Sequence, residues 1–528
     1  MKKIINADNN VFKLIISCSE SNKICVDRSG RISIVGNSIC LDFENLNDQI
    51  GLINDTSVEI KTFHRNIFPF YIRAVNNEVW LSNDVSELLI PGEEISVRMV
   101  NILHAAAGSD GIRSVLSRLF EEISLLLPSS EYRISFENDR PLIIWSDISF
   151  KFHENMSKEK FLELLIDQYE KLYHDDTEVC LAISGGLDSR LELAILTHLK
   201  KKVHCYHYIT SKREANVARH VAESAGATFH EYPSDEVTRR GWVFLKTQGY
   251  LSRWDGFFAP GVISAAGLYT FMESDYPNLK KILMSSLTGW KQEYPFYTAS
   301  ENMLDFWVAL EEKKLKSCVD SFPNQRGLFL KEKEQNMKMI KKVMNRLNEK
   351  YSRKDIITDV SYSIFSAYGK TAARSTILLE NGLPVFDGNY IREYYVSLPQ
   401  GDKDNNAFPE WAVNSLNKTL GNLPQISCTM SLAERQFGSI VHVPLIGRIV
   451  SILTNKNIGE SQDWLSDNDV RSIIQQYPNL KRISGNVHEG KPKLFFAQIC
   501  RLLMYVQHKN NVLFRFEGLP GEYNGELR

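Results

Sequence analysis

The sequence contains none of the short patterns that mark a zinc site or a Walker-type nucleotide site. Its eight cysteines include no C-x-x-C pair, and its twelve histidines include no H-x-x-x-H pair, so the usual zinc spacings are missing. The absence of a G-x-x-x-x-G-K-[ST] string excludes a Walker loop. The formal net charge of −2 gives no global field that would favour nucleic acid or an anionic membrane.

Long apolar runs are missing as well. The N-terminal MKKIINADNN has two lysines but no apolar core of signal-peptide length. The longest apolar stretches, residues 443–453 and 494–506, contain Arg448 and Arg501 and are shorter than the ~20 residues that a membrane helix needs. We therefore expect a soluble cytoplasmic protein with no membrane partner, in which the cysteines are buried free thiols.

The composition that remains is that of a globular protein with a sizeable core, at 43% hydrophobic and 24% charged residues over 528 positions. Residues 1–150 contain short alternating runs separated by Gly, Asn and Asp, which predict strands. The clearest of these runs are 31–35, 70–74, 78–81 and 132–136. One helix is predicted over 115–127, and the polar segment 153–157 is predicted to be a linker.

After the linker the pattern changes to helices alternating with strands. Apolar residues recur at helical spacing over 158–173, and 178–183 is a short apolar run typical of a buried strand. A helix at 190–199, a strand at 202–209 and a helix at 214–225 are predicted next, and residues from about 238 are mostly helical. This order predicts a parallel α/β sheet. We therefore predict two domains, residues 1–150 and 151–528.

The strongest chemical signal is the string S-G-G-L-D-S at residues 184–189, between a predicted strand and a predicted helix. Two glycines permit a tight turn, and the helix N-terminus presents free N–H groups and the positive end of its dipole. This arrangement suits pyrophosphate. Ser184 and Ser189 can add hydroxyl donors, and Asp188 would hold Mg²⁺ bound to the phosphates. The alternative is an ordinary helix N-terminus capped by Asp or Ser.

With this string the chain resembles the synthetase domain of the asparagine synthetase family, a PP-loop fold that cleaves ATP to AMP and pyrophosphate. Residues 205–208, C-Y-H-Y, are similar to the family's second strand, whose end contacts adenine. Residues 379–387, L-E-N-G-L-P-V-F-D, are similar to its L-E-x-R-x-P-F-L-D element. The resemblance implies adenine contacts at His207 and Tyr208. Glu380 would contact substrate or cap local structure.

The N-terminal region resembles the family's glutaminase domain. Residues 64–71, H-R-N-I-F-P-F-Y, are similar to its D-R-x-G-x-x-P-L-Y-Y strand pair, and residues 119–128 are similar to its exit segment. In that domain a cysteine directly after the initiator Met is the nucleophile, but this chain has Lys2 there. The resemblance therefore implies no glutamine hydrolysis. A synthetase without glutaminase activity is the pattern of β-lactam synthetase and of lasso-peptide macrolactam cyclases.

Two segments depart from the family. Residues 287–293, L-T-G-W-K-Q-E, match its second acidic loop, L-S-G-E-G-A-D-E or L-T-G-Y-G-S-D. Glu293 falls at the second Mg²⁺ ligand and Gly289 at the nucleotide contact, while Trp290 replaces the catalytic Glu or Tyr. An indole neither takes a proton nor binds Mg²⁺, but it could stack on a substrate. Lys291 replaces a glycine and could contact phosphate.

The second departure lies at residues 423–437, which match the stretch where the family places a lysine that stabilises charge during adenylation. Leu432 falls at that position, and Arg435 is the nearest cation. Other candidates are Lys418, Lys491 and Lys493. Tyr368 lies on a predicted helix before Glu380, in a region where β-lactam synthetase supplies the partner of its catalytic Tyr; a solvated helix face is the alternative interpretation.

The resemblance implies a degenerate glutaminase-like sandwich followed by a PP-loop α/β synthetase domain with a largely helical C-terminal part. The expected activity is ATP- and Mg²⁺-dependent adenylation of a small-molecule or peptide carboxylate, with closure of a lactam or macrolactam in antibiotic-type natural-product biosynthesis. A processing protein is a possible partner, and nucleic acid is not. The alternatives are amidation by an external amine or ammonia, and a non-catalytic nucleotide-binding scaffold.

The candidate residues fall into nucleotide contacts, catalytic residues and metal ligands. The candidate nucleotide contacts are Ile183, Ser184, Gly185, Gly186, Leu187, Asp188, Ser189, His207, Tyr208 and Gly289. The candidate catalytic residues are Arg435, Glu380, Tyr368, Trp290 and Lys291, and the candidate metal ligands are Asp188 and Glu293.

Overall fold

A computed structural model gives the fold. The structure describes residues 13–17, 25–26, 32–33, 38–43, 46–52, 57–62, 71–76, 78–82, 84–107, 119–137, 140–247, 260–283, 302–365, 389–424, 468–484, 487 and 491–517.

The first part of the chain is built from strands, as the alternating runs predict. These are β1 (Lys13–Ser17), β2 (Cys25–Val26), β3 (Ile32–Ser33), β4 (Ser38–Phe43), β5 (Leu46–Leu52), β6 (Ser57–Lys61), β7 (Tyr71–Val75), β8 (Glu78–Ser82), β9 (Glu94–Arg98), β10 (Ile123–Leu125), β11 (Ser130–Glu137) and β12 (Arg140–Ile148). A 3₁₀ helix, Val85–Leu88, and α1 (Met99–Ala106) interrupt them. The sheets have the orders β1-β8-β7-β10, β12-β11-β6 and β3-β2-β4-β5. The glutaminase-like sandwich stays a prediction.

The prediction of a helix over 115–127 is wrong for residues 119–127, which the structure describes. Residues 123–125 form β10, which pairs antiparallel with β7, and the nearby helix is α1. Leu119, Ile123 and Leu126 are all buried, and their spacing fits one helical face as well as a set of short extended segments. A short apolar run does not distinguish a helix from extended segments. Here the pairing of residues 123–125 with β7 determines that they form a strand.

The second part of the chain has the predicted alternation of strands and helices. Its elements are α2 (Lys158–Leu172), β13 (Glu178–Ala182), α3 (Leu187–His198), β14 (Lys202–Ile209), α4 (Lys212–Ser224), β15 (Thr228–Pro233), α5 (Ser234–Thr247), α6 (Pro260–Asp275) and β16 (Lys280–Ile282). The sheet order is β15-β14-β13-β16, and every pairing is parallel. The α/β prediction is confirmed, and the strands β15 and β16 add to it.

Helices cover both faces of this sheet, so alternate residues of one strand enter different cores. In β13, Val179 and Leu181 pack with α2, α3 and α4, whereas Cys180 and Ala182 pack with α5 and α6. Strands buried on both faces are typical of parallel sheets and explain the apolar run V-C-L-A. A parallel sheet of this kind places its ligand site at the carboxyl ends of the strands.

The rest of the described chain is almost entirely helical, as predicted. Its elements are α7 (Met303–Ser321), a 3₁₀ turn (Pro323–Gln325), α8 (Arg326–Lys350), α9 (Lys354–Phe365), α10 (Asn389–Ser397), α11 (Gln400–Lys403), a 3₁₀ turn (Asp404–Asn406), α12 (Ala407–Leu416), α13 (Lys418–Gly421), α14 (Asn468–Gln476), α15 (Pro478–Ser484), α16 (Lys491–Asn510) and β17 (Leu513–Glu517). No helix among the described residues has the length and apolar character needed to cross a membrane.

The end of the chain returns to the N-terminal region. Strand β17 pairs parallel with β9, and α16 packs against α1 in a shared core. Phe496 and Leu503 of α16 are fully buried in that core, and Phe516 of β17 lies in it too. The division at residue 150 stays a prediction, because this core joins described residues from both sides of it.

Candidate nucleotide-binding loop

The S-G-G-L-D-S string lies at the carboxyl end of β13, the strand between β14 and β16 in the parallel sheet. The N–H of Ile183 donates to the carbonyl of Tyr206 at 2.8 Å, which extends the pairing with β14 by one residue. The chain then leaves the sheet, and α3 begins at Leu187 with Gly186 as its N-cap. The predicted strand–loop–helix junction is therefore present.

Gly186 fits its position through its lack of a side chain. Its φ of −84° and ψ of 175° are open to any residue, but a Cβ there would lie 3.3 Å from the hydroxyl oxygen of Ser184. As a glycine it also makes no side-chain cap with the first turn of α3. The first-turn N–H groups of a helix have no intrahelical partner, so this end of α3 offers donors to a ligand.

The two serines tie the loop to itself. The backbone N–H of Ser184 donates to the hydroxyl of Ser189 at 3.0 Å, and the two hydroxyl oxygens are 3.1 Å apart. The N–H of Gly186 donates to the hydroxyl of Ser184 at 3.2 Å. The serines thus occupy two of the loop's own amides and fix its shape. The amides of the first turn of α3, at residues 187–189, remain for an anion.

Asp188 lies half-buried in that first turn. A carboxylate there interacts favourably with the helix dipole, and it could hold a cation that neutralises phosphates bound at the loop. Within the described residues, no group of three or more His, Cys, Asp or Glu side chains could hold a metal ion. Mg²⁺ characteristically takes only one or two protein carboxylates together with phosphate and water oxygens, so one described carboxylate, that of Asp188, is compatible with such an ion.

His207 lies beside the loop at the carboxyl end of β14, with only 2% of its surface exposed. Its Nδ1 is 2.9 Å from the carbonyl oxygen of Ile183. A carbonyl only accepts, so Nδ1 carries a proton, and Nε2 is an acceptor when that is the only proton on the ring. No described residue hydrogen-bonds to that Nε2. A buried acceptor without a partner is costly, which makes His207 a natural ligand contact. Tyr208 follows it, half-buried.

Arg190 is a site residue that the sequence analysis missed. It lies in the first helical turns of α3 and is fully buried. Its guanidinium donates to the carbonyls of Leu423 and Pro424 at 2.9 and 2.8 Å, and Nη2 is 3.5 Å from the carbonyl of Gly185. The only local signal was a cation near a helix N-terminus, where the dipole disfavours positive charge.

Behind the sheet, two tyrosines share one carboxylate. Tyr206 and Tyr232 donate their hydroxyls to the same oxygen of Asp275, at 2.9 and 2.8 Å. Burial, the largest cause, and these bonds to Asp275 raise the pKa of Tyr232 above its ordinary value, so it stays protonated. The cluster joins β14 and β15 to the end of α6.

Several predicted site residues lie outside the described residues. These are Trp290, Lys291, Glu293, Gly289, Glu380, Tyr368 and Arg435. The structure therefore brings together Ile183, the loop and His207, and the roles assigned to the others stay predictions. Of the other candidate cations, Lys418 is exposed at the start of α13.

The comparison with family sequences falls on this loop. Residues 160–237 match the sequence model of the asparagine synthase family. This segment is similar to the asparagine synthase family. It runs from α2 through the loop, α3, β14 and β15 into α5. The resemblance stated from the sequence is confirmed for this segment, and an ATP-dependent, amide-forming ligase is the function that such a similarity favours.

Other comparisons add less. A structure of glutamine-dependent NAD⁺ synthetase from Acinetobacter baumannii in complex with adenosine diphosphate matches with 17% identity and a TM-score of 0.20. The match covers 34% of this chain and 36% of that chain, so this chain spans only about a third of that synthetase, and the likeness carries no functional argument. Among curated proteins, none matches this chain significantly.

Proposed function

We propose that the protein is a carbon–nitrogen ligase that adenylates a carboxylate with ATP, releases pyrophosphate, and closes a lactam or macrolactam in natural-product biosynthesis. The observation that supports this most is the loop at residues 184–189, which lies in the asparagine synthase segment at the carboxyl end of a parallel strand. ATP and the carboxylate are its substrates, and Mg²⁺ accompanies ATP.

The loop fits the β- and γ-phosphates of ATP. The serine bonds fix the loop before ligand arrives, so the N–H groups of the first turn of α3 need no reorganisation to accept charge. Asp188 would hold the cation that neutralises the leaving pyrophosphate. His207 offers a buried acceptor beside the loop, which suits the exocyclic amine of adenine.

The proposed reaction has two steps. A carboxylate oxygen attacks the α-phosphorus and forms the acyl-adenylate, while the bond from that phosphorus to the oxygen bridging the α- and β-phosphates breaks and pyrophosphate leaves. An amine of the same substrate then attacks the acyl carbon, AMP leaves, and the amine proton passes to a base. The described residues contribute mainly by binding and orienting ATP, and such positioning supplies a large share of the rate enhancement in phosphoryl and acyl transfer.

Intermolecular amidation and a non-catalytic nucleotide-binding scaffold are the competing functions. Incubation of the purified chain with MgATP and a panel of amino-acid and peptide carboxylates, followed by pyrophosphate detection and mass spectrometry, separates all three. Ring closure yields pyrophosphate, AMP and a product lighter than the substrate by one water. An added amine in the product means intermolecular amidation. ATP binding with no pyrophosphate from any substrate supports the scaffold and contradicts the proposal.

A further inference from the structure

Arg190 links two parts of the chain that are far apart in sequence. Besides its contacts with Leu423, Pro424 and Gly185, its Nη1 donates to the carbonyl of Leu420 at 3.1 Å. One guanidinium thus joins Gly185, in the loop at residues 184–189, to the end of α13 and to the turn after it. Arginine's planar fork suits this task, because its donors have fixed directions.

The charge of Arg190 is not balanced by a protein carboxylate within the described residues. All the partners of its side chain there are carbonyl oxygens, and Nε has none. Burial lowers the pKa of Arg190 to about 10, which still leaves it protonated at neutral pH. A buried cation held only by dipoles is expensive, and an anion bound nearby would offset that cost.

The position of the bridge matters for the reaction. Leu423 and Pro424 begin the stretch 423–437, in which the sequence analysis places the charge-stabilising cation Arg435. The bridge therefore fixes where that stretch starts relative to the loop at residues 184–189. If a charge-stabilising cation is displaced by about 1 Å from its working position, the reaction rate can fall by about a hundredfold.

We propose that Arg190 is a positioning residue that ties the start of the stretch 423–437 to the loop at residues 184–189. Its buried charge also strengthens the binding of pyrophosphate and ATP. The inference rests on the proposed function for its effect on turnover. The bridge itself is a property of the free protein and is tested without turnover.

The test compares Arg190→Met, which removes both charge and bridge, with Arg190→Lys, which keeps the charge but loses the fork. Arg73→Met is the matched control, since Arg73 is also buried and donates to the carbonyl of Leu88 and to Glu93, away from the loop. The readouts are calorimetric Kd values for Mg-pyrophosphate and MgATP, hydrogen exchange of peptides covering 418–424 and 184–189 in the free protein, and KM and kcat for pyrophosphate release.

Arg190→Met should raise both Kd values by about tenfold or more and remove the protection of residues 418–424. Arg190→Lys should keep Kd within about threefold but lose that protection and lower kcat more than it raises KM. Arg73→Met should change only the melting temperature. Wild-type Kd and wild-type protection in Arg190→Met overturn the inference; if that variant does not fold, wild-type protection in Arg190→Lys does so. If the wild-type protein binds neither Mg-pyrophosphate nor MgATP, the proposed function is contradicted. The hydrogen-exchange data then still test whether Arg190 forms the bridge.

Discussion

The hydroxyl of Ser189 accepts the backbone N–H of Ser184 at 3.0 Å and so closes the candidate phosphate loop across its two ends. The hydroxyl oxygens of Ser184 and Ser189 are 3.1 Å apart, and the hydroxyl of Ser184 accepts from the N–H of Gly186. A loop held in this way keeps its shape without ligand, which is the preorganisation that electrostatic catalysis requires.

Ser189→Ala should therefore weaken both folding and nucleotide binding. It leaves the amide of Ser184 without its acceptor, and an unsatisfied buried donor costs ~1–3 kcal/mol. We expect a lower melting temperature and a Kd for MgATP raised by about tenfold, measured by thermal unfolding and calorimetry. Thr197→Val on the same helix is the control, since Thr197 donates only to carbonyls of its own helix. Unchanged MgATP affinity in Ser189→Ala would show that the serine bond does not shape the site.

Gly186→Ala should reduce MgATP affinity with little loss of stability. The backbone angles suit alanine, but its Cβ would lie 3.3 Å from the hydroxyl oxygen of Ser184 and displace it by a few tenths of an ångström. The expected change in Kd is several-fold, on the scale of ~1 kcal/mol. Gly327→Ala in α8, where a Cβ meets nothing within 4 Å, should leave Kd unchanged and stabilise the helix. Equal Kd values in the two variants would contradict this account.

Acid should destabilise the protein partly through His230. Burial lowers the pKa of His230 in the fold, so the unfolded chain takes up a proton first. Its contribution to stability is complete above the unfolded pKa of about 6.5 and is lost as the pH falls through the lower, folded value. The melting temperature should fall between about pH 7 and pH 5, and His230→Gln should flatten that fall. An identical slope in both proteins would contradict the assignment.

Four variants test the segments that depart from the family. If Glu293 binds Mg²⁺, Glu293→Gln should raise the Mg²⁺ requirement for adenylation, because an amide is a weaker ligand for a hard cation. Trp290→Phe should mainly weaken substrate binding, and Lys291→Met and Arg435→Met should lower the rate of ATP cleavage. Losses of less than about tenfold, ~1.4 kcal/mol, in all four would remove residues 287–293 and Arg435 from the reaction centre and favour the scaffold function.

Local signals made the loop and its flanking elements predictable. Strand β13 is a short apolar run, two glycines end it, and α3 follows at once, so each step is encoded within a few residues. Strand β16 was missed because it is three residues long and contains two lysines. Its place is decided by pairing with β13, which is not visible in a local pattern.

The missed role of Arg190 has the same cause. Its partners Leu420, Leu423 and Pro424 lie more than 200 residues away in the sequence, and they are backbone carbonyls, which leave no residue-type pattern. The serine bonds of the loop were missed for another reason. Ser184 and Ser189 were assigned to the ligand, whereas their spacing also lets them bond to each other. A single sequence does not distinguish the two uses of a hydroxyl.

Substrate-dependent exchange of labelled pyrophosphate into ATP tests whether residues 184–189 bind the pyrophosphate part of ATP with a cation at Asp188. Wild-type protein with a carboxylate substrate that supports pyrophosphate release should catalyse exchange. Asp188→Asn should abolish it while the melting temperature stays near that of the wild type, because the neutral amide no longer holds the cation that neutralises pyrophosphate. Exchange at the wild-type rate in Asp188→Asn would contradict the account.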